Sequence, residues 1–285
     1  MSEVGSALED LLRLLDLEAL EVNLFRGQSR DLGGKAVFGG QVIGQALVAA
    51  SRTVEGRLPH SLHAYFLRPG DMCCPIVYEV DRIRDGKSFT TRRVVAIQHG
   101  RAIFNMQTSF HRRESGFEHA FPMPHVPDPE SLPTFEELVG DADAGELEMR
   151  RHPIEMRFVG GLPWGVREPR PPYKQLWIRA DGLLDDDPLL HACVATYASD
   201  MSLFDTILLP HSIDWDDGGF MGASLDHCMW FHRPFRADEW LLFDTDSPVA
   251  YGARGMARGF LYDRAGHLCV SMVQEGLARV ISPRR

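Results

Sequence analysis

The sequence predicts an α+β fold built from two similar halves, each with one long helix packed against an antiparallel sheet. Three observations lead to this fold class. A strand motif recurs in the second half of the chain, a helical segment precedes each copy of that motif, and short turns separate the strand-like segments that follow. At 285 residues, the chain has the length of two medium-sized domains.

The repeat is clearest in a strand that ends with Arg-Pro. Tyr65–Pro69 (YFLRP) reappears as Trp230–Pro234 (WFHRP), 165 residues later. At the same offset, the strand-like segment 76–81 corresponds to segment 241–246. Each half is therefore predicted to run as a short strand, a helix and then several antiparallel strands joined by short turns.

A helical segment precedes each copy of the motif. In the first half it spans 37–54 and contains small residues, which allow close packing on a sheet. In the second half it spans 187–208, where Asp187 suits the N-cap and Pro188 suits the first helical position. A further amphipathic helix is expected near the N-terminus, after a Ser-x-x-Glu capping box at residues 6–9. Its acidic residues argue against a secretion signal.

Residues 112–152 separate the two halves and are rich in Pro, Glu and Asp, a composition typical of linkers. We therefore predict an N-terminal domain over residues 1–111, which includes the N-terminal helix. A linker over 112–152 follows, and then a C-terminal domain over 153–285. Each domain is expected to consist of one long helix against a curved sheet.

Composition and charge argue against several functions. The net charge is −10, whereas nucleic-acid binding requires a basic surface, so no nucleic-acid partner is expected. No apolar run approaches the roughly 18 residues that span a bilayer, so no membrane span is expected. The five cysteines include no CxxC pair, which indicates neither a disulfide framework nor a zinc site and is typical of a reducing cytoplasm.

The two copies differ at three polar positions. Along the last strand, period-two alternation places Gln274 on a face of apolar residues, where the first copy has Thr108. Ser224 corresponds to Pro59, and Asp200, on a largely apolar helix face, is expected to match an apolar residue. Taken singly, each has a structural explanation as a strand end, a backbone partner or a helix cap. Because buried polar groups are costly unless they satisfy one another, the three together indicate a site.

Other patterns are better explained by structure than by chemistry. Gly39, Gly40 and Gly44 match neither dinucleotide nor Walker spacing, so we expect them to allow close helix packing. Histidine pairs at odd separations point to opposite faces of a strand, so no metal site is expected. Asp226 and His227 are adjacent on a strand and point apart, which favours a structural role at the interface between the copies.

Nine segments carry a family resemblance: LFRGQS (24–29), VFGGQVIGQAL (37–47), LHAYFLRPGD (62–71), RDGKSFTTRRV (84–94), GFEH (116–119), YASD (197–200), LDHCMWFHRPF (225–235), EWLLF (239–243) and VQEG (273–276). On these motifs the chain resembles the acyl-CoA thioesterase II family, which is TesB-like, from end to end. The resemblance implies a double hotdog: two long helices, each wrapped by antiparallel strands, with the sheets joined. It also implies hydrolysis of acyl-CoA to fatty acid and CoA, a reaction of lipid metabolism, without a metal or organic cofactor.

The resemblance assigns roles to three residues. The family's catalytic Asp falls on Asp200, its Gln on Gln274, and its Thr or Ser, just before the LDH segment, on Ser224. We expect these residues to hold and polarise the attacking water. The position of Asp200 far along its helix, among apolar neighbours, is expected to raise its pKa. Gly222–Asp226 is G-x-S-x-D and not the G-x-S-x-G elbow, which disfavours a covalent serine mechanism.

Arginines are expected to bind the phosphates of the acyl-CoA substrate, because a guanidinium group matches phosphate in bidentate geometry. The substrate-binding candidates are Arg68, Arg93, Arg233 and Arg258, with Arg92 and Arg254 also present.

Two other functions fit the same sequence. A hotdog hydratase or dehydratase would act on the same thioesters with an Asp/His pair, so that Asp226 or His227 would be essential. A non-catalytic acyl-CoA-binding module would bind CoA esters without releasing a thiol.

Assembly and location follow from the resemblance and the chain end. Double-hotdog chains resemble dimers of the single-domain form and associate further, so we expect a homo-oligomer, a dimer or higher. Some family members end in a peroxisomal Ser-Lys-Leu, whereas this chain ends in Ser-Pro-Arg-Arg, which favours a cytoplasmic location.

Overall fold

The structure is a computed structural model that describes residues 6–31, 35–139, 152–165, 168–213 and 219–281. Three short elements precede the first long helix: α1 (Ala7–Leu15), β1 (Glu18–Glu21) and β2 (Leu24–Gly27). The helix itself is followed by four strands, giving the order α2 (Gly39–Ser51), β3 (Leu58–Phe66), β4 (Ile76–Asp85), β5 (Phe89–Gln98) and β6 (Arg101–His111).

The second half repeats this order with additions. A 3-10 turn (Pro129–Ser131) and α3 (Phe135–Val139) lie between the halves. Two strands then lead into the second long helix and a short one: β7 (Ile154–Phe158), β8 (Tyr173–Ala180), α4 (Pro188–Ser199) and α5 (Asp205–Leu208). A 3-10 turn (Leu209–His211) precedes five strands: β9 (Phe220–Ser224), β10 (Asp226–Phe231), β11 (Leu241–Tyr251), β12 (Arg254–Tyr262) and β13 (Leu268–Val280).

One antiparallel sheet of 13 strands joins the halves. Its order is β1-β2-β4-β5-β6-β3-β10-β13-β12-β11-β8-β7, with β9 also paired to β13. The central pair is β3–β10, in which Leu62 lies opposite Met229. On either side of this pair the strand order is mirrored, and β11 and β12 begin 165 residues after β4 and β5. The predicted repeat and the α+β architecture are confirmed.

The two long helices pack antiparallel at the centre of the molecule. Gly40 lies against the backbone carbonyl of Tyr197, and Gly44 lies against that of Cys193. Residue numbers therefore increase along one helix where they decrease along the other, so the two helices run in opposite directions. A Cβ atom at Gly40 would overlap the Tyr197 carbonyl oxygen. Only glycine permits this approach of two backbones at Gly40, where the predicted role in helix packing is confirmed. Gly44 lies at the same helix contact, whereas Gly39 lies against the side chains of Asp200 and Phe66.

Residues of both halves form the main core, which lies between the helices and the concave face of the sheet. Alternation along β8 directs Leu176 and Ile178 into this core and Trp177 to the opposite face. A second, smaller cluster forms on that opposite face and consists of Trp177, Trp240, Leu242 and Tyr262. Residues from between the halves cover it: Met123, Val126 and Leu132.

The described part of the predicted linker, residues 112–139, runs along the second half of the sheet. Its backbone is irregular apart from the 3-10 turn and α3. The indole nitrogen of Trp177 donates to the carbonyl of Pro127 (2.9 Å), and Arg264 pairs with Glu130 (2.7 Å). These contacts fix the path of the segment, although its composition is typical of a linker.

Two helix predictions have opposite outcomes. The N-terminal capping box is confirmed, because the Glu9 amide donates to the Ser6 hydroxyl (3.2 Å) and the Ser6 amide to the Glu9 carboxylate (3.0 Å). The prediction of a continuous helix over 187–208 is wrong, since α4 ends at Ser199 and Asp200 is its C-cap. The Ser199 hydroxyl donates to the carbonyl of Thr196 (2.8 Å), a side-chain bond that competes with continued helix.

Among the described residues, no helix has the length and apolar character needed to cross a bilayer.

Gly40→Ala is expected to destabilise the protein by about 1–3 kcal/mol, because the added methyl group must push the Tyr197 backbone away. The gain from a stiffer unfolded chain, about 0.4–1 kcal/mol, is too small to compensate. Urea unfolding measures the change, with Gly116→Ala as the control because a Cβ there meets no atom within 4 Å. Equal stability of the two variants would contradict the proposed packing constraint.

Candidate active site

Asp200 lies where the end of α4 meets the beginning of α2. It is the C-cap of α4 (φ −87°), where the helix stops and the side chain turns towards the first half of the protein. The backbone N–H of Gly40 donates a hydrogen bond to its carboxylate. A Cβ atom at Gly39 would overlap that carboxylate and the ring of Phe66. The carboxylate thus occupies the N-terminus of a helix, where amide dipoles favour negative charge.

Ser224 and Gln274 complete a hydrogen-bonded cluster around this carboxylate. The Nε2 group of Gln274 donates to Asp200 Oδ1 (2.7 Å) and to Ser224 Oγ (2.7 Å). The Ser224 hydroxyl donates to Asp200 Oδ1 over 3.5 Å, at the limit of hydrogen-bond length. The structure therefore brings together the three residues that the comparison of the two copies selects.

The side-chain oxygen of Gln274 has no partner. Gln274 is fully buried, and Oε1 makes no hydrogen bond within the described part of the chain. A buried amide oxygen without a partner costs roughly 1–3 kcal/mol, so such an atom indicates a place where a donor normally binds. A water molecule that donates one hydrogen to Oε1 and another to a carboxylate oxygen of Asp200 satisfies both groups.

Burial raises the pKa of Asp200 from 3.8 to about 6. The largest cause is loss of water around the carboxylate. Hydrogen bonds from Gln274, Gly40 and Ser224 act in the opposite direction and keep the rise moderate. The carboxylate is therefore mostly ionised at neutral pH and is more basic than an exposed Asp.

An irregularity in the sheet positions Ser224. Strand β13 pairs with β10 as far as Val273 and then with β9, where Gly276 lies opposite Ser224. Between the two strands, the amide of Leu225 donates to the carbonyl of Glu275 (2.9 Å). The carboxylate of Asp226 accepts a hydrogen bond from the amide of Glu275 (2.7 Å). This bond stabilises the point at which β13 stops pairing with β10 and begins to pair with β9.

His227 faces away from the cluster and into the core. It lies opposite Ala64 in the pair β3–β10, at the junction of the two halves. Its Nε2 atom lies 2.9 Å from the Ser199 hydroxyl. The ring has no exposed surface, and burial lowers its pKa to about 3. Asp226 and His227 therefore have separate partners, in agreement with the predicted structural role of the pair.

The first half has different groups at the corresponding positions. Helix α2 ends at the C-cap Arg52, just as α4 ends at Asp200, so the expectation of an apolar counterpart of Asp200 is wrong. Arg52 turns towards the N-terminal segment and pairs with Asp16 (2.6 Å). Thr108, the counterpart of Gln274, donates to the carbonyl of Ser61 (3.1 Å).

The arginines do not converge on the cluster. Arg233 pairs with Glu118 (2.8 Å) and Arg258 with Asp246 (2.5 Å). The guanidinium of Arg68 donates to the carbonyl of Ala102 (2.6 Å), and the side chain of Arg93 is exposed on β5, opposite Asp81 of β4. Arg254 pairs with Glu275.

Arg92 is unsuited to substrate binding. It is only 1% exposed and binds Thr53 and Asp85 inside the first half (2.7 and 2.6 Å). A residue buried among such partners stabilises the fold, and the expectation that it is free for phosphate is wrong.

Within the described ranges, one group of side chains has the composition of a metal site. Donor atoms of Asp71, Cys74 and His99 lie within 4.8 Å of one another near the β5–β6 turn. They already bond one another, since His99 Nε2 lies 3.0 Å and Cys74 Sγ 3.5 Å from the Asp71 carboxylate. The cluster lies in the first half and makes no contact with Asp200.

Sequence reasoning missed the contribution of Gly39, Gly40 and Phe66 to the site. The glycine pair is visible in the sequence, but its two roles are not. Which helix end meets which depends on the antiparallel crossing of α2 and α4, a contact between residues about 150 positions apart.

Comparison with known proteins places this geometry in a family. A family model described as acyl-CoA thioesterase matches residues 167–277, and the acyl-CoA thioesterase N-terminal domain matches residues 28–111. Acyl-coenzyme A thioesterase 8 of Homo sapiens is 42% identical over 94% of this chain and 88% of its own length. Acyl-CoA thioesterase 2 of Haemophilus influenzae is 38% identical over 97% of this chain and 99% of its own length.

Solved structures agree with the sequence relatives. The crystal structure of the acyl-CoA thioesterase II TesB2 from Mycobacterium marinum superimposes with a TM-score of 0.81 at 41% identity, covering 95% of this chain and 99% of that one. The double hotdog expected from the resemblance is therefore the fold of this chain. From its fold and its sequence, the chain belongs to the acyl-CoA thioesterase family of the TesB type.

Proposed function

We propose that this protein hydrolyses acyl-CoA to a carboxylic acid and CoA, with Asp200, Ser224 and Gln274 as the catalytic residues. Family membership supports the reaction. The observation that supports the residues is the amide of Gln274, which binds Asp200 and Ser224 through Nε2 and leaves a buried Oε1 without a partner. That arrangement provides one acceptor for each hydrogen of a bound water.

Water attack requires a base of suitable strength. Asp200 takes one proton as the water oxygen attacks the thioester carbon, while Gln274 Oε1 accepts the other hydrogen and orients the water. With a pKa of about 6, Asp200 is mostly ionised at neutral pH and a stronger base than an exposed carboxylate. Ser224 and the Gln274 Nε2 group hold the carboxylate in one orientation.

The tetrahedral intermediate carries negative charge on the former carbonyl oxygen. The beginning of α2 favours a negative charge through its amide dipoles, and its Gly40 N–H is used by the Asp200 carboxylate. The absence of a side chain at Gly39 lets that carboxylate approach the beginning of the helix. Collapse of the intermediate breaks the C–S bond, and protonated Asp200 returns its proton to the CoA thiolate.

The two alternative functions have less support. A dehydratase with an Asp/His pair requires an accessible imidazole, whereas His227 is fully buried and bonded to Ser199. A binding module without catalysis would not require the basic carboxylate of Asp200 next to the unpaired Oε1 of Gln274, an arrangement present in one half only. Enoyl absorbance would identify the dehydratase, and CoA-ester binding without thiol release would identify the binding module.

The proposal also covers the arginines that bind the substrate, the domain boundaries and the location in the cell. Arg68 and Arg93 are the better candidates for the CoA phosphates of the catalytic site, because Arg233 and Arg258 already pair with carboxylates. The division into 1–111, 112–152 and 153–285 follows the repeat. A cytoplasmic location is supported by the five cysteines, all of which are free thiols.

Asp200→Asn is expected to lower kcat about 10²- to 10⁴-fold, because the amide cannot accept the proton of the attacking water. Ser224→Ala and Gln274→Ala should each lower kcat by about 10- to 100-fold, the rate equivalent of one charged hydrogen bond. Thiol release from a chain-length series of acyl-CoAs measures the effects.

Thr108→Val is the matched control, because Thr108 is the buried counterpart of Gln274 and bonds only the Ser61 carbonyl. It should leave kcat unchanged. Full activity of Ser224→Ala together with an inactive Asp200→Asn would contradict the cooperative triad.

Stability is expected to depend on the pH through Asp200. Its folded pKa (about 6) exceeds the unfolded value of 3.8, so the unfolded state loses the proton first as the pH rises. The resulting penalty is absent below the unfolded pKa, grows up to the folded pKa and then stays constant at no more than about 3 kcal/mol. Asp200→Asn removes it and should stabilise the protein more at about pH 8 than at about pH 4.

Urea unfolding at the two pH values measures this difference. The exposed Asp185→Asn is the control and should show no comparable change with pH. A pH-independent effect of Asp200→Asn would show that the carboxylate titrates normally.

A homo-oligomer, a dimer or higher, is expected from the exposed apolar residues beside the edge strand β1. Leu20 and Val22 are 41% and 72% exposed, and among the described strands none pairs with the outer edge of β1, which a second chain can cover. Light scattering should give a multiple of the chain mass of 32.0 kDa. A mass equal to one chain at micromolar concentration would disprove this proposal.

A further inference from the structure

A cleft of about 190 Å³ opens at the beginning of α4, at the opposite end of that helix from Asp200. The 12 residues of the helix separate the two places by about 18 Å. Four parts of the chain line the cleft: residues 58–60 of β3, residues 111–114 at the end of β6, Pro188 and Ala192 of α4, and residues 231–235 at the end of β10.

The internal repeat relates this cleft to the catalytic cluster. Phe66 and Ser224 lie next to Asp200, and their counterparts at an offset of 165 residues, Phe231 and Pro59, line the cleft. The first residue of α2, Gly39, contacts the Asp200 carboxylate, and the first residue of α4, Pro188, lies in the cleft. The antiparallel helices thus create two equivalent ends, of which only one holds the triad.

The groups needed for hydrolysis are missing from the second end. Pro59 has no hydroxyl in the place of Ser224, and Pro188 has no N–H at the helix start. The Thr108 hydroxyl is occupied by the Ser61 carbonyl, and the C-cap Arg52 bonds Asp16 and the Leu17 carbonyl. No carboxylate of the lining, apart from Glu114, is present to act as a base.

In place of that chemistry, the cleft carries positive charge. Its lining contains Arg112, Arg113 and Arg233 against a single acid, Glu114, in a chain with a net charge of −10. Arg233 pairs with Glu118 across the rim (2.8 Å). In the part of the chain that the structure describes, the guanidinium groups of Arg112 and Arg113 have neither a hydrogen bond nor an ion pair, and both side chains are exposed. His60, His111 and His232 add imidazole nitrogens.

We propose that this cleft is a second, non-catalytic binding site for a phosphate or pyrophosphate group, as carried by CoA. Two neighbouring arginines without partners match a phosphate in bidentate geometry, and a concave basic surface concentrates anions against the overall charge. The volume is below the roughly 300 Å³ of pockets that enclose a whole drug-sized ligand, so it suits the phosphate end and not the acyl chain.

Identification of CoA as the source of the phosphate rests on the proposed function, whereas phosphate binding by the cleft does not. A chain with one catalytic centre would then bind CoA, the product of its own reaction, at a second place. CoA is expected to bind with two molecules per chain, one at each end of the helix pair.

Calorimetric titration of the full-length protein tests the proposal with three ligands: CoA, inorganic pyrophosphate and pantetheine, which lacks phosphate. Wild type should bind two CoA molecules and one pyrophosphate per chain, with no pantetheine in the cleft. Arg112→Ala/Arg113→Ala should bind one CoA and lose pyrophosphate affinity by about tenfold or more, the effect of one charged hydrogen bond. The Arg112→Lys/Arg113→Lys variant should retain part of that affinity, because charge remains without bidentate geometry.

Arg101→Ala is the matched control, since Arg101 is also an exposed arginine but lies outside the cleft, and it should bind as wild type does. Unchanged pyrophosphate binding by the double alanine variant would overturn the proposal. Pyrophosphate binding without two CoA molecules would overturn CoA as its source. Thiol release measured in parallel separates the two proposals, because a protein that binds pyrophosphate but releases no thiol contradicts only the hydrolysis.

Discussion

The antiparallel contact between α2 and α4 is the constraint on which the site depends. Because Gly40 meets the Tyr197 backbone, the first turn of one helix lies next to the last turn of the other. Asp200 then stands at two helix ends at once, the C-terminal end of α4 and the N-terminal end of α2. A larger residue at Gly40 separates these ends and moves the backbone N–H that the carboxylate uses away from Asp200.

Opposing forces set the basicity of Asp200. Its own helix end and the loss of water disfavour the anion, whereas the start of α2 and the Gln274 amide favour it. Desolvation is the largest effect and raises the pKa to about 6. A stronger set of donors would return the pKa towards that of a free Asp and weaken the base. Fewer donors would raise the pKa further.

The sequence predicts the strands and the long helices well, because alternation and capping are local properties. It predicts the end of α4 poorly, since the segment after Ser199 keeps helical periodicity, and the contacts that end the helix are the side-chain bond of Ser199 to Thr196 and the tertiary contacts of Asp200. Repeat comparison selects Ser224 and Gln274 because a strand register is preserved between the copies. It fails for the counterpart of Asp200, since α2 and α4 differ in length and their sequences align only roughly.

Side-chain partners explain the remaining errors. Arg92 and Arg93 are adjacent and chemically identical, yet one is buried with Asp85 and the other is exposed. The alternation of a strand predicts that they differ, but not which of them faces the core. The same limit applies to the Arg-rich cleft, whose residues come from four distant parts of the chain.

The internal repeat gives two equivalent helix ends, and chemistry is needed at only one. At the end that keeps Asp200, an acid in an apolar setting has to be balanced by Gln274, Ser224 and a helix start. The other end has no acid to balance, so its counterparts are free to become Pro59 and Thr108. Loss of the buried acid also removes the negative potential that would repel a phosphate. A basic cleft at that end is therefore compatible with the loss of catalysis, whereas arginines beside Asp200 would pair with it and lower its pKa.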